Sequence, residues 1–184
     1  MARDPDQTRR KLLDAATSEF AEQGIAGARV DRIAERAQVN KRMIYAYFGN
    51  KEQLFETVIA HSLEDLLDAV PLQVEDLPAY AGQLFDYLIA HPERRRLALW
   101  RLLERPAATA AETRSTARKV AALSRARPHD HALDGTAILT FIMAIVQAWP
   151  NAGRGLAPTK AAKLTAQRAS VVEAVRRLTD PATA

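Results

Sequence analysis

The chain has 184 residues, a formal net charge of +4 and a pI near 9.6, enough length for one good-sized domain or a small head on a larger body. The absence of cysteine excludes disulfides, thiolate metal sites and thiol nucleophiles, and it fits a reducing cytosol. No apolar run approaches the roughly 18 residues of a membrane span, and the opening MARDPDQTRRKLL lacks the apolar stretch of a signal peptide, so a cytoplasmic location is expected.

Charge is distributed unevenly. Residues 1–51 hold 10 Lys and Arg against 7 Asp and Glu, and the rest hold 16 against 15. The excess base in the first quarter is what a phosphate-binding footprint requires.

Alanine and leucine abound, glycine numbers 7, and no strand-like alternation persists, so an all-α fold of about nine helices is expected. The first helix should run over about 6–23, with Leu12, Leu13, Ala16 and Phe20 on one face and Gly24 as its stop. A short helix over 30–36 turns Val30, Ile33, Ala34 and Ala37 inward. A third, over 40–47, has Asn40 as its N-cap. The fourth starts at Asn50, where Gln53 completes a capping box, and runs to Pro71. Five more are expected over 77–90, 92–104, 110–125, 133–149 and 159–179, separated by proline-containing connections.

Two short helices joined by a tight turn form a helix-turn-helix, closing an N-terminal three-helix head. Ile33, Ala34, Val39, Ile44 and Phe48 would lock the pair together. Lys41, Arg42, Tyr45, Ala46 and Tyr47 are then left on the outer face of the third helix. Such a helix fits the major groove, where Lys and Arg donate to guanine edges, tyrosine hydroxyls reach phosphate or base, and Ala46 can touch a thymine methyl. Lys51, in the first turn of the fourth helix, sits where free N–H groups and the helix dipole favour a phosphate. Gly49-Asn50 thus ends a reading helix and starts a phosphate clamp.

The span 8–54 resembles the DNA-binding head of the TetR (tetracycline-repressor-like) family of transcription regulators. The carriers are Phe20-Ala21-Glu22-Gln23-Gly24, Ile33-Ala34-Glu35-Arg36-Ala37, Val39-Asn40-Lys41 and the stretch from Tyr45 to Leu54, YAYFGNKEQL. The resemblance implies DNA contact by Lys41, Arg42, Tyr45, Ala46 and Tyr47 and phosphate contact by Lys51. Arg29 stands where the family commonly has a capping Thr or Ser, and its guanidinium can replace that cap-to-phosphate bond with a charged one. Gln38 stands where the turn commonly has Gly, and a left-handed backbone there would cost about 1 kcal/mol.

By the same resemblance, the head over 1–50 is followed by a helical regulatory, ligand-binding and dimerisation body over 51–184. Its last two helices should pair with their twofold mates through Ile138, Phe141, Ile142, Ile145, Leu164, Val171, Val172, Val175 and Leu178. Phe85, Leu88, Trp100, Leu103, Phe141, Met143 and Trp149 are candidates for a ligand cavity, with ordinary core packing as the alternative. The expected function is a homodimeric repressor released from a pseudo-palindromic double-stranded operator by a small apolar or amphipathic ligand. An activator, a ligand-independent regulator, or a helical interaction protein without DNA readout are the alternatives. No phosphate loop, nucleophile elbow or His-Glu-x-x-His pair points to an enzyme. No cofactor is expected, and His129-Asp130-His131, lacking further ligands in view, is read as solvated rather than as a metal site.

Overall fold

A computed structural model describes residues 4–105, 107–127, 133–152 and 162–180. They form helices α1 (Pro5–Gly27), α2 (Val30–Ala37), α3 (Lys41–Phe48), α4 (Lys51–Ala69), α5 (Leu77–Ala90), α6 (Pro92–Glu104), α7 (Ala110–Ala126), α8 (Gly135–Ala148) and α9 (Ala162–Thr179), with no strand among the described residues. Helix ends fall where capping residues and breakers lie. Asn40 Oδ1 accepts from the Arg42 N–H at 2.9 Å, and Asn50 Oδ1 accepts from the Gln53 N–H at 2.8 Å. Prolines open α1 and α6, where a missing N–H costs no helical bond.

The chain divides into two compact units, one comprising Met1–Asp65 and His91–Glu112, the other Leu66–Ala90 and Thr113–Ala184. This division differs from a cut at 50/51: the larger part of α4 and all of α6 belong with the head.

Side-chain packing explains the membership of α6 in the first unit. Leu97 is 0 % exposed within the same core as Leu12, Ala16, Phe20, Ile33, Ile44, Leu54 and Phe55. Burial of these side chains is what stabilises the unit, the leucines, isoleucines and phenylalanines each worth about 1.5–3 kcal/mol relative to exposure. Phe20 of α1 meets Phe55 of α4 edge to face, with centroids 5.1 Å apart. Trp100 Nε1 donates to the Ala21 carbonyl at 3.3 Å, and Glu104 Oε2 accepts from the Ile25 and Ala26 N–H groups at 2.6 and 3.3 Å.

Gly24 makes that last grip possible. Its backbone (φ 66°, ψ 178°) breaks α1 as expected, after which a final turn continues to Gly27. A β-carbon there would stand 2.8 Å from Glu104 and 2.9 Å from the Trp100 ring. Only glycine satisfies both the conformation and the space.

Gly49 ends α3 at φ 82°, ψ −69°, with the Gln53 carboxamide against the position a β-carbon would occupy. Gln53 can swing away, but the backbone conformation remains. Gly49→Ala is therefore expected to cost about 1–3 kcal/mol, read as a lowered urea midpoint.

The second unit has its own core, formed by Leu77, Tyr80, Leu84 and Phe85 of α5, Leu123 of α7, Ile138, Leu139, Ile142 and Val146 of α8, and Val171 and Val175 of α9. Within it, Lys119 Nζ donates to the Tyr80 hydroxyl at 2.9 Å. Burial lowers the lysine's pKa and raises the tyrosine's to about 12, since it disfavours the charged form of each.

Candidate nucleic-acid interface

The interface is built on α2 and α3, and α2 is oriented from α1. Arg29, at the N-cap of α2, has an extended backbone and makes no side-chain cap bond. The acceptor comes from Glu19: its Oε1 takes the Arg29 backbone N–H at 3.0 Å and the Arg32 Nε–H at 2.6 Å. Glu19 is 0 % exposed, and its Oε2 has no hydrogen bond, lying 3.9 Å from the Arg36 guanidinium. A carboxylate held at a helix N-terminus satisfies a donor that the helix cannot and complements the dipole. At the surface, Arg36 forms a two-pronged pair with Glu22 at 2.9 and 2.6 Å, which holds Arg36 above and Glu22 below their ordinary pKa values. Exposed as it is, this pair sets orientation more than stability.

The turn between the helices passes through Gln38 in the left-handed region (φ 55°, ψ 41°), whose N–H donates to the Glu35 carbonyl at 3.0 Å. The expected strain at this non-glycine residue is thus present. Ile33 and Ile44 at 0 %, Ala34 at 6 % and Phe48 at 7 % exposure form the lock, with Val39 partly buried against them. Small Ala34 permits the close crossing.

That lock leaves a polar face. Lys41, Arg42 and Ala46 are exposed, Tyr45 is 47 % exposed, and Tyr47 is half-buried with its ring 6.1 Å from that of Phe48. One tyrosine therefore stands out from α3 while the other braces its end. Arg9 of α1 lies over the Phe48 ring at 5.6 Å, so a second cation stands beside the C-terminal end of α3.

Two basic groups have partners that sequence spacing does not reveal. Lys41 Nζ pairs with Asp31 Oδ1 at 2.7 Å, and this hydrogen bond raises the lysine's pKa. Lys41 is charged, but it must exchange a carboxylate of α2 for any phosphate or base. Lys51 Nζ donates to the Ala28 carbonyl at 3.3 Å and is half-buried. A weak carbonyl contact is readily exchanged for a charged acceptor.

Glu19 is the residue that sequence reasoning missed. Its signal was spacing: residues 12, 16 and 19 follow the apolar stripe of α1, so an acid at 19 sits where a hydrophobe belongs. Such a residue is either paired or severely destabilising.

The residues expected to line a ligand cavity or a dimer seam lie as follows. Of the cavity candidates, Trp100 and Leu103 belong to the first unit, and Phe85, Leu88, Phe141, Met143 and Trp149 to the second. Leu103 is 75 % and Phe141 44 % exposed, which does not fit a buried wall, and Trp100 is committed to α1. Phe85 is core at 2 % exposure, and Leu88, Met143 and Trp149 pack partly buried against that core. Of the dimer stripe, Ile138, Ile142, Val171 and Val175 are at most 2 % exposed. They pack in the core of their own unit. Phe141 and Leu164 are exposed, and Ile145, Val172 and Leu178 are half-buried. His129-Asp130-His131 lies outside the described residues.

A helix-turn-helix with a basic, tyrosine-bearing outer face, joined to a helical body, defines a class of DNA-binding regulators. Residues 12–58 match the family "Bacterial regulatory proteins, tetR family", and residues 76–177 match "Tetracyclin repressor-like, C-terminal domain". The HTH-type transcriptional repressor SCO4008 of Streptomyces coelicolor is 38% identical over 189 residues, covering 97% of this chain and 98% of that protein. The HTH-type transcriptional repressor NicS of Pseudomonas putida is 36% identical over 99 residues, covering 50% of this chain and 47% of its own. Among solved structures, SCO4942 of Streptomyces coelicolor superposes with a TM-score of 0.80 at 36% identity, over 93% of this chain and 97% of that one. The chain belongs to the TetR family and is a DNA-binding transcriptional regulator.

Proposed function

We propose that this regulator is a homodimeric, cytoplasmic repressor that binds a pseudo-palindromic operator through α3 and leaves it when a small ligand binds the helical body. The observation that carries the reading is the outer face of α3, where Lys41, Arg42, Tyr45 and Ala46 are exposed over a fully packed lock. Arg42 and Tyr45 read bases. Lys51 and Arg29 hold phosphate, and Lys41 joins them once released from Asp31. Tyr47, half-buried, contributes to the backbone contact its exposed edge permits.

Pairing rests on Phe141 and Leu164, with Ile145, Val172 and Leu178 beside them. A twofold dimer presents two reading helices to half-sites about 34 Å apart or at a compatible larger spacing, which is why the operator should be a pseudo-palindrome. Effector coupling of about 1–3 kcal/mol would change operator affinity some 5- to 150-fold. The relatives named as repressors support that sign of regulation.

Selection of bound duplexes from a random pool with the full-length protein is the direct test. One enriched pseudo-palindrome is the expected result, and a folded dimer that enriches nothing overturns the reading. On the selected operator, Lys51→Ala should weaken binding to all sequences alike and lower the salt slope by about 0.9 for each phosphate no longer neutralised, twice that per dimer. Arg42→Ala and Tyr45→Phe should instead flatten preference at particular base pairs. Equal losses on operator and random DNA would remove Arg42 and Tyr45 from base readout.

A further inference from the structure

We infer that Asp31 is a specificity-determining residue of the DNA interface: its carboxylate holds Lys41 while the head is off its operator and accepts from a cytosine amino group once Lys41 has moved to phosphate. The inference rests on the operator-binding function proposed above and adds a base-reading acid to it.

Asp31 stands in the first turn of α2, and its Oδ1 lies 2.7 Å from the Nζ of Lys41, the first residue of α3. That bond places a carboxylate beside the N-terminal end of the reading helix, the end that contacts base edges when a helix-turn-helix enters the major groove. The side chain is 74% exposed, so DNA can reach it. Arg29, two residues before it, and Lys41 and Arg42 across the turn are basic. An acid on a face built for phosphate weakens attraction to every sequence alike, unless a donor on the DNA meets it. Helix capping does not account for it. Glu19 already supplies a buried carboxylate at the start of α2, where its Oε1 takes the Arg29 N–H at 3.0 Å. The N-terminus of α2 therefore has its negative charge without Asp31.

Moving Lys41 from Asp31 to phosphate costs different amounts on different sequences. Once Lys41 has left, Asp31 is a charged acceptor with no donor, standing in the field of the phosphates. A major-groove donor in front of it removes that penalty. Cytosine N4 and adenine N6 are the donors that B-DNA presents there. Adenine N6 lies between two acceptors, its own N7 and the O4 of the paired thymine, and these repel the second carboxylate oxygen. Cytosine N4 has an acceptor, guanine O6, on one side only. The cognate base is therefore cytosine. Elsewhere the Lys41–Asp31 pair is the better arrangement, and the phosphate contact of Lys41 is forgone.

The test is duplex selection with the full-length wild type and with Asp31→Ala. Affinities are then measured over a range of salt on the selected operator and on a random-sequence duplex of the same length. In the wild type one position per half-site should require cytosine, and replacing that C·G pair by T·A should cost about tenfold or more. The same replacement should cost Asp31→Ala less than about threefold, the coupling expected of a residue and a base in contact. On the random duplex Asp31→Ala should bind about threefold more tightly than the wild type, with a salt slope steeper by about 0.9 per head, because Lys41 is free to neutralise another phosphate. Glu35→Ala removes an exposed acid one turn further along α2, and it should shift both affinities alike and leave every base preference in place. An operator preference that is the same in the wild type and Asp31→Ala, or a random-duplex affinity and slope unchanged by that substitution, overturns the role of Asp31. So does an equal weakening on both duplexes, which identifies a merely structural residue. A preference lost at a pair without cytosine in the required place overturns the cytosine assignment. A folded wild-type dimer that enriches no sequence overturns the operator-binding function itself, and the base-reading role with it.

Discussion

Glu19→Ala is expected to destabilise the first unit by about 2–3 kcal/mol and to weaken operator binding by tenfold or more at temperatures where the variant is still folded. Removing one partner of a buried ion pair costs about 3–5 kcal/mol when the other charge is left stranded. Arg32 is not stranded, because its side chain is 41% exposed and can rehydrate. The larger contribution is the Arg29 backbone N–H, which loses its acceptor at the start of α2, at about 1–3 kcal/mol for a buried group. The vacated volume adds to this, since Glu19 is 0 % exposed.

Glu19→Gln separates the two contributions. The amide oxygen can still accept from Arg29, while the charge facing Arg32 and Arg36 disappears. Urea unfolding followed by helical circular dichroism should place Gln between the wild type and Ala. If Gln and Ala are equally destabilised, the charge matters and the cap does not. If neither loses stability, Glu19 does not hold α2 in place. The tenfold loss on operator corresponds to about 1.4 kcal/mol, a modest demand on a residue that sets the entry angle of the helix on which α3 is locked.

What was legible in the sequence follows from how local each determinant is. The ends of α5 and α6 were readable because His91-Pro92 and Arg105-Pro106 punctuate the chain there. The head was readable because its lock repeats at helical spacing and its turns carry Asn40, Gly49 and Asn50 at capping positions. The left-handed backbone at Gln38 was raised only through the resemblance, because the family's turn commonly has Gly there.

Long-range choices were not readable. Nothing near Trp100 or Glu104 in sequence says that they reach Ala21 and Ile25, 79 residues earlier. The grouping of α6 with the head therefore emerges only in three dimensions. The stripe on α8 and α9 was visible, but an apolar stripe does not state whether it faces its own core or a second chain. Ile138, Ile142, Val171 and Val175 went to the core, and Phe141 and Leu164 to the surface. Likewise Lys41 is recognisable as a candidate DNA contact, whereas its hold on Asp31 depends on how α2 and α3 cross.

Phe55→Ala is expected to have the larger effect on stability, about 3–5 kcal/mol. Phe55 is 2 % exposed, and it is the residue of α4 whose ring meets Phe20 of α1 edge to face. Part of the cost is plain area and part is the ring pair. A double-mutant cycle with Phe20→Ala should return a coupling of about 0.5–1.5 kcal/mol for the edge-to-face contact beyond burial. Because Phe55 also lines a cavity beside Arg101, its removal enlarges a space already present, so the remaining side chains have little to collapse onto. The damage should be local. Val58 and Ile59 of α4 lie in the same core, whereas Val70, just beyond α4, packs in the second unit. Amide exchange should therefore accelerate in α1 and the first turns of α4 while protection in α5 and α8 is retained, and operator affinity should fall with the first loss. Equal loss of protection in α8 would show that the two cores unfold as one, and that the ring pair stabilises the whole chain rather than the head.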